Sequence, residues 1–332
     1  MDFPFYQKIL PESLPSKPVD LPPLRPLAEP MPESYVPDDD LVEAVNVALL
    51  LGQPLLLTGE PGTGKTHLAY HVAKQFGLSV LKFETKSNSK AQDLFYTYDA
   101  MKHFHAIQIK QSNVNAIDYL EYTALGEAII RANQPEKVQD FLPSDFIHIE
   151  PRRSVVLIDE VDKAPRDFPN DILNEIENMD FSVPELGTQK KIRVEDAHMK
   201  PILILTSNSE KHLPDAFLRR CIYYNIPFPT KDRLRDEIIK KRLGQFDQEN
   251  HKVPLSEVLN LFFKLREVRL QKKPATAELL NWLMALHQMF HVKSTSTYPD
   301  DLPNTLSILV KNTDDQELAK SIFQDWLTTV KA

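Results

Sequence analysis

Residues 59–66 read Gly59-Glu60-Pro61-Gly62-Thr63-Gly64-Lys65-Thr66 and fit G-x-x-x-x-G-K-[ST], a pattern that few architectures accommodate. It works only where a buried strand enters the loop and a helix leaves it. Both are present. Pro54-Leu-Leu-Leu-Thr58 is the short, uninterrupted apolar run of a strand buried on both faces. Downstream, Leu68, Val72 and Phe76 share one helical face, and Gly77 supplies the stop. The three loop glycines free the backbone to turn successive N–H groups toward a phosphate, and the helix adds its positive end. Lys65 is placed to reach β- and γ-phosphates, and the Thr66 hydroxyl to ligate Mg²⁺. The chain has only 8 glycines, and their concentration here argues against a turn that merely redirects the backbone.

A second strand carries chemistry at its end: Ser154-Val-Val-Leu-Ile-Asp159-Glu160. Ligands bind at the carboxyl ends of strands in open α/β sheets. Asp159 is therefore expected to hold Mg²⁺, directly or through water, and Glu160 to orient and deprotonate an attacking water. Acidic residues after a strand are common in loops, so the phosphate loop is what gives this pair its meaning. Further strands read at 79–83, 201–208 and 221–225, and helices from Asp38, around 116–133 and at 169–179. Two hairpins interrupt the alternation, one in the aromatic stretch 94–110 and one where 181–184 and 191–194 flank Gly187. After Pro227 and Pro229 only helical patterns follow, at 231–243, 255–269, 276–291 and 314–330, which sets a boundary near 228–231.

The resulting division is a proline-rich N-terminal arm at 1–34, a nucleotide-binding core at 35–229 with inserts near 94–110 and 180–195, and a helical domain at 230–332. Nine prolines in the first 34 residues exclude a long helix there. An extended arm lying across the body or a neighbour, or a disordered leader, fits equally. The balance of 39 Lys+Arg against 47 Asp+Glu gives −8, so no global basic field points to nucleic acid, although a local patch stays open. Cys221, the single cysteine, cannot close an internal disulfide, which suits a reducing cytosol. Neither a secretory signal nor an apolar run near the roughly 20 residues of a membrane span is evident. A cytoplasmic protein is expected.

With these pieces in order, the chain resembles the AAA+ ATPases, and within them the MoxR-like ATPases, over about residues 35–325. The resemblance rests on Gly59–Thr66 (Walker A), Val155–Glu160 (Walker B), Thr206-Ser-Asn208 (sensor 1) and Leu213–Arg220 (the arginine-finger segment). The branch rests on the two inserts, which match a helix-2 insert and a pre-sensor-1 hairpin. It implies a P-loop NTPase fold: an α/β core with a five-stranded parallel sheet, helices on both faces, and an all-α lid domain. It also implies ATP and Mg²⁺ as ligands and hexameric rings. Asn208 would then help position the attacking water. Arg220 would reach a neighbouring subunit's ATP, and the adjacent Arg219 would share or take that role. For this basic pair the plainer reading is a solvated surface. Where relatives carry a sensor-2 arginine, this chain has Ala277. Either that function is missing, or Arg269, Lys272 or Lys273 substitutes.

Three function classes follow. The first is an Mg²⁺-dependent ATP hydrolase that remodels a protein client, for which the resemblance implies a von Willebrand factor A-domain partner. The second is a nucleic-acid motor or loader, such as the motor subunit of a restriction or defence system, which −8 disfavours. The third is a degenerate nucleotide-binding scaffold, which the presence of Lys65, Thr66, Asp159 and Glu160 disfavours. The aromatic stretch from Phe95 to Phe104 is read as a contact surface, against the alternative that it packs on its own insert. His103 with His105 and His287 with His291 have pairwise metal spacing but lack a third ligand. The Leu279, Leu283, Leu286, Phe290 stripe reads as core, and Cys221 as packing.

Overall fold

The structure is a computed structural model that describes residues 35–109, 114–187, 190–209, 213–243, 254–292 and 305–331. The arm expected at 1–34 lies outside the described residues. The chain folds as a larger unit, Tyr35–Glu60 with Gly64–Phe228, and a smaller one that comprises Pro61–Thr63 and Pro229–Ala332.

The larger unit begins with α1 (Asp39–Leu51), whose Asp38 side chain accepts the Leu41 N–H at 3.1 Å as an N-cap. Strand β1 (Leu55–Thr58) runs through the phosphate loop into α2 (Lys65–Phe76), which Gly77 ends with a φ of 66°. Strands β2 (Ser79–Glu84), β5 (Ser154–Asp159), β8 (Ile202–Thr206) and β9 (Ile222–Asn225) complete a sheet of order β2-β5-β8-β1-β9, all parallel. Leu56, Leu57, Val155, Val156, Leu157 and Ile158 are fully buried. That is the physical meaning of their unbroken apolar runs: helices cover both faces of a parallel sheet. One apolar cluster contains Leu57, Leu68, Val72, Val155 and Ile204, and another contains Leu56, Val156, Ile158, Ile129 and Phe217.

Within 94–110 the expected hairpin is replaced by a longer-range pairing. Among its described residues only β3 (Tyr96–Tyr98) is extended, and its antiparallel partner is β4 (Leu120–Tyr122). Between them Asp99 caps α3 (Ala100–Gln108), accepting the Lys102 N–H at 2.9 Å. The alternation near 103–109 is thus a helical face. The helix expected around 116–133 is correspondingly shortened to α4 (Ala124–Arg131), because Leu120–Tyr122 is claimed by β3. The helix expected at 169–179 divides at Ile172 (φ −94°, ψ −1°) into Phe168–Asp171 and Leu173–Asn178. The second hairpin is present: β6 (Asp180–Ser182) pairs antiparallel with β7 (Lys191–Arg193).

The aromatic stretch itself splits between two roles. Phe95 and Tyr96 are core residues, 4% exposed, which corrects the reading of the whole stretch as a contact surface. Both pack on Phe181 of β6, with ring centroids 5.3 and 6.3 Å away. The Tyr96 hydroxyl donates to Glu185 at 2.8 Å. The two inserts are therefore one packed body. By contrast Met101, Phe104 and Ile107 on α3 are 79%, 57% and 53% exposed.

The smaller unit is helical in its described part beyond Pro229. A continuous helical stretch, with π geometry over Leu234–Ile239, occupies 231–243. It is followed by α5 (Leu255–Glu267), α6 (Thr276–Val292), a short turn at Leu306–Leu309, and α7 (Thr313–Lys331). Leu279, Leu283 and Leu286 are buried, as a core stripe requires. The side chains of Phe290 and His291 lie outside the described residues. Trp282, fully buried, donates its indole N–H to Thr305 at 2.8 Å. Among the described residues no helix is long and apolar enough to cross a membrane.

The insert depends on one close approach. A Cβ on Gly126 of α4 would lie 1.9 Å from the Phe95 carbonyl oxygen, the same oxygen that accepts the Thr123 N–H at 3.0 Å. Gly126→Ala should therefore cost about 1–3 kcal/mol through forced displacement of the strand. Denaturant titration should show the loss; an unchanged midpoint would mean that α4 and Phe95 do not pack as described.

Candidate functional site

The larger unit brings Lys65, Thr66, Asp159, Glu160 and Asn208 to the carboxyl ends of β1, β5 and β8. Gly59 and Gly64 take φ values of 136° and 92°, which an L side chain rarely adopts, so the loop needs glycine at both. Gly64 also approaches the Tyr35 ring so closely that a Cβ would lie 2.9 Å from it. Lys65 opens α2, and its ammonium is buried within the loop. It donates to the Gly59 and Glu60 carbonyls at 2.8 and 3.0 Å and to Asn208 Oδ1 at 3.0 Å. Burial lowers its pKa, an effect opposed by the nearby Asp162, Asp159, Glu160 and Glu60 carboxylates. Glu60, Pro61 and Gly62 are exposed, while Gly59, Thr63, Gly64 and Thr66 are half-buried.

Asp159 is the meeting point. Its Oδ1 accepts the Thr66 hydroxyl at 3.0 Å and the Thr206 hydroxyl at 2.6 Å. Its Oδ2 faces the Lys82 ammonium at 3.1 Å. Burial by itself would lower the Lys82 pKa, but the hydrogen bonds it donates to Glu84 and Asp159, with their charges, outweigh it and the net shift is upward. A hydroxyl and a carboxylate converging on one point are hard oxygen donors, the set that Mg²⁺ takes. The chemistry of Thr66 and Asp159 therefore fits that ion.

Glu160 follows with φ 56° and ψ 52°, a left-handed conformation that is uncommon outside glycine. Its backbone N–H is held by the Thr206 hydroxyl at 2.8 Å. Its carboxylate accepts the Asn208 amide at 3.4 Å and pairs with Lys163. Asn208 in turn donates its backbone N–H to Asp162 at 3.2 Å. Lys65, Thr66, Asp159, Glu160 and Asn208 thus form one connected network. Arg219 and Arg220 lie outside it. Arg220 donates to Glu177 at 3.3 Å and to the Ala216 carbonyl at 3.1 Å, and Arg219 is exposed. Among the described residues no contact joins either arginine to the network.

Two residues at the site carry no local sequence signal of their role. Thr206 hides in the Thr-Ser-Asn run, where the terminal amide draws attention, yet its fully buried hydroxyl bridges Asp159 and Glu160. Lys82 stands two residues before the end of β2, and only the Glu84–Asp159 register brings it to the carboxylate. Ala277, at the expected sensor-2 position, is the second residue of α6, and Arg269, Lys272 and Lys273 belong to the same unit, all three exposed. Among the described residues no cluster of three His, Cys, Asp or Glu can hold a metal. His103 is engaged by the Tyr98 hydroxyl. Cys221 packs against the core, and burial pushes its thiol up to about 12, away from nucleophilic thiolate character.

The family model for the AAA domain, dynein-related subfamily, matches residues 54–221, just over half of the chain. No curated protein matches the sequence. Among solved structures, a point mutant of RuvB from Thermotoga maritima aligns with 88% of this chain and 75% of its own, at 17% identity and a TM-score of 0.49.

The bridging hydroxyl makes a direct test. Thr206→Val keeps the shape but leaves the Glu160 N–H unpaired and Asp159 short of a donor, at a cost of about 1–3 kcal/mol. Loss of stability on that scale should accompany slower ATP turnover. Wild-type stability and turnover together would show that the bridge contributes nothing.

Proposed function

The chain belongs to the dynein-related subfamily of AAA domains, and on that premise we propose that it is an Mg²⁺-dependent ATP hydrolase that acts in a ring of like subunits to remodel a protein partner. The observation that carries the reading is the convergence of Thr66 and Thr206 on Asp159 Oδ1, at 3.0 and 2.6 Å. A phosphate loop and an acidic strand end meeting at one carboxylate are what Mg²⁺-assisted phosphoryl transfer needs. Thr66 and Asp159 would hold Mg²⁺, which would supply charge neutralisation to the transferring phosphoryl group.

The chain's own groups do the rest. Backbone N–H groups of 59–66 and the Lys65 ammonium bind the phosphates. Glu160 accepts the proton of the attacking water, and Asn208, 3.4 Å from its carboxylate, orients that water. Thr206 is a positioning residue that holds the Glu160 backbone. Arg220 and Arg219 act across a subunit boundary on the neighbour's ATP, where a cation stabilises the transferring phosphoryl group. The Arg220–Glu177 pair is exposed, and pairs of this kind hold only about 0–1 kcal/mol. Glu177 therefore steadies the arginine without trapping it.

We assign the partner contact to the exposed Met101, Phe104 and Ile107 stripe of α3, because apolar side chains grouped on a helix surface mark contact sites. The joined inserts also support the MoxR-like form of the proposal, with a von Willebrand factor A-domain protein as the partner class. Phe104→Ser should leave basal turnover unchanged and reduce partner-stimulated turnover; equal stimulation in both proteins would remove α3 from the contact. Action in trans has a sharper test. Arg220→Ala and Glu160→Gln should each be nearly inactive yet bind ATP. Mixed in equal amounts, they should recover part of the activity, because some sites combine an intact Glu160 with an intact neighbouring Arg220. Inactive mixtures that demonstrably co-assemble would rule this out.

A further inference from the structure

The edge of the sheet opposite the phosphate loop carries a second concavity. A cavity of about 380 Å³ opens at the amino-terminal ends of β1 and β8, a volume at the small end of ligand sites, which span roughly 300–1,000 Å³. Its walls are aliphatic, with Leu50 and Leu51 from the last turn of α1, Met179 and Ile202. Leu50 and Leu51 are 84% and 57% exposed, so apolar surface reaches the mouth. Three basic side chains line it, Arg153, His198 and Lys200, and among the described residues no carboxylate does, in a chain whose net charge is −8.

The two stronger cations are held in place by backbone carbonyls. Arg153 Nε donates to the Lys200 carbonyl at 2.6 Å, and Lys200 Nζ donates to the Gly52 carbonyl at 2.8 Å. A guanidinium has five N–H donors and an ammonium three, so most of their capacity is unused. Among the described residues neither makes an ion pair. Burial lowers the pKa of both, and for Lys200 only the nearby Glu177 charge opposes it. A plain capping role for Lys200 at the end of α1 explains one donor. It does not explain a partly buried guanidinium beside it, nor why, among the described residues, no acid lines the cavity. Desolvated cations that form no ion pair favour an anion, and aliphatic walls favour one that carries hydrocarbon.

We propose that this cavity is a second ligand site and that it takes an aliphatic carboxylate. The carboxylate receives the spare Arg153 and Lys200 donors, and the hydrocarbon lies along Leu50, Leu51 and Met179. A strongly hydrated inorganic anion would use the cations but waste the walls. The same chemistry is offered by a free fatty acid and by the last residue of a polypeptide that ends in leucine or valine.

The test is titration calorimetry of the full chain with two probes. One is decanoate below its micellar range; the other is a hexapeptide ending in Leu-Leu-Val with a free carboxylate, with its amide as control. Binding of either probe, weakened at least about tenfold by Lys200→Met and by Arg153→Met, is the expected result. Acetate and inorganic phosphate should bind at least about tenfold more weakly than the preferred probe. Decanoate binding points to a free acid, and peptide binding lost on amidation points to a chain terminus; each sustains the site. Leu50→Asp, at an exposed position that folding does not depend on, should weaken binding even if Arg153→Met fails to fold. The proposal is overturned if neither probe binds, if binding survives Lys200→Met and Leu50→Asp unchanged, or if phosphate binds as tightly as decanoate.

Discussion

The Asp159 carboxylate ties together the parts of the larger unit that matter for chemistry. One oxygen receives hydroxyls from α2 and β8, the other faces an ammonium from β2, and the backbone carbonyl accepts the Thr85 N–H at 3.1 Å. Hydrogen bonds to an ionised group contribute about 1.5–3 kcal/mol each, and removing the acceptor leaves buried donors unpaired. The side chain is nearly buried, at 13% exposure, so these bonds replace the water it has lost. A residue suited to hold Mg²⁺ is therefore also the fastening between three strands and a helix.

That fastening works only in one register. Glu84 sits beside Asp159, and Leu57 beside Thr206; a slip of one residue would turn each side chain to the opposite face. The alignment also accounts for the left-handed backbone of Glu160. Such a conformation costs on the order of 1–3 kcal/mol and persists only where the surroundings impose it. Here the Thr206 hydroxyl holds the Glu160 N–H, and the Asn208 amide meets its carboxylate. Strain at this point sets the direction of the side chain expected to do the proton transfer.

Away from the network, the inserts behave as a single piece. Phe181 from the second insert lies among Phe95 and Tyr96 from the first and Tyr122 of β4. Tyr96 and Gln92 both donate to Glu185, at 2.8 and 3.3 Å. A displacement of the β6–β7 hairpin must therefore repack the β3–β4 pair. The exposed face of α3 rides on that body, which joins the proposed contact surface to the segment between the acidic strand and β8.

Much of this was legible in the amino-acid sequence. The buried strands announce themselves because both faces of a parallel sheet are covered, so their residues need no alternation. The phosphate loop and the Asp159–Glu160 pair are equally plain, because local backbone demands and one strand end dictate them. Tertiary structure decided the rest. Leu120–Tyr122 reads as helix until Tyr96–Tyr98 claims it as a strand, a pairing across sequence distance that no local propensity encodes. Phe95 looks like a surface aromatic until Phe181 covers it. Thr206 and Lys82 join the site only because β2, β5 and β8 lie side by side in one register. The cationic cavity was invisible for the same reason: Arg153, Lys200 and the end of α1 are distant in sequence, and only the order of strands in the sheet brings them to one edge.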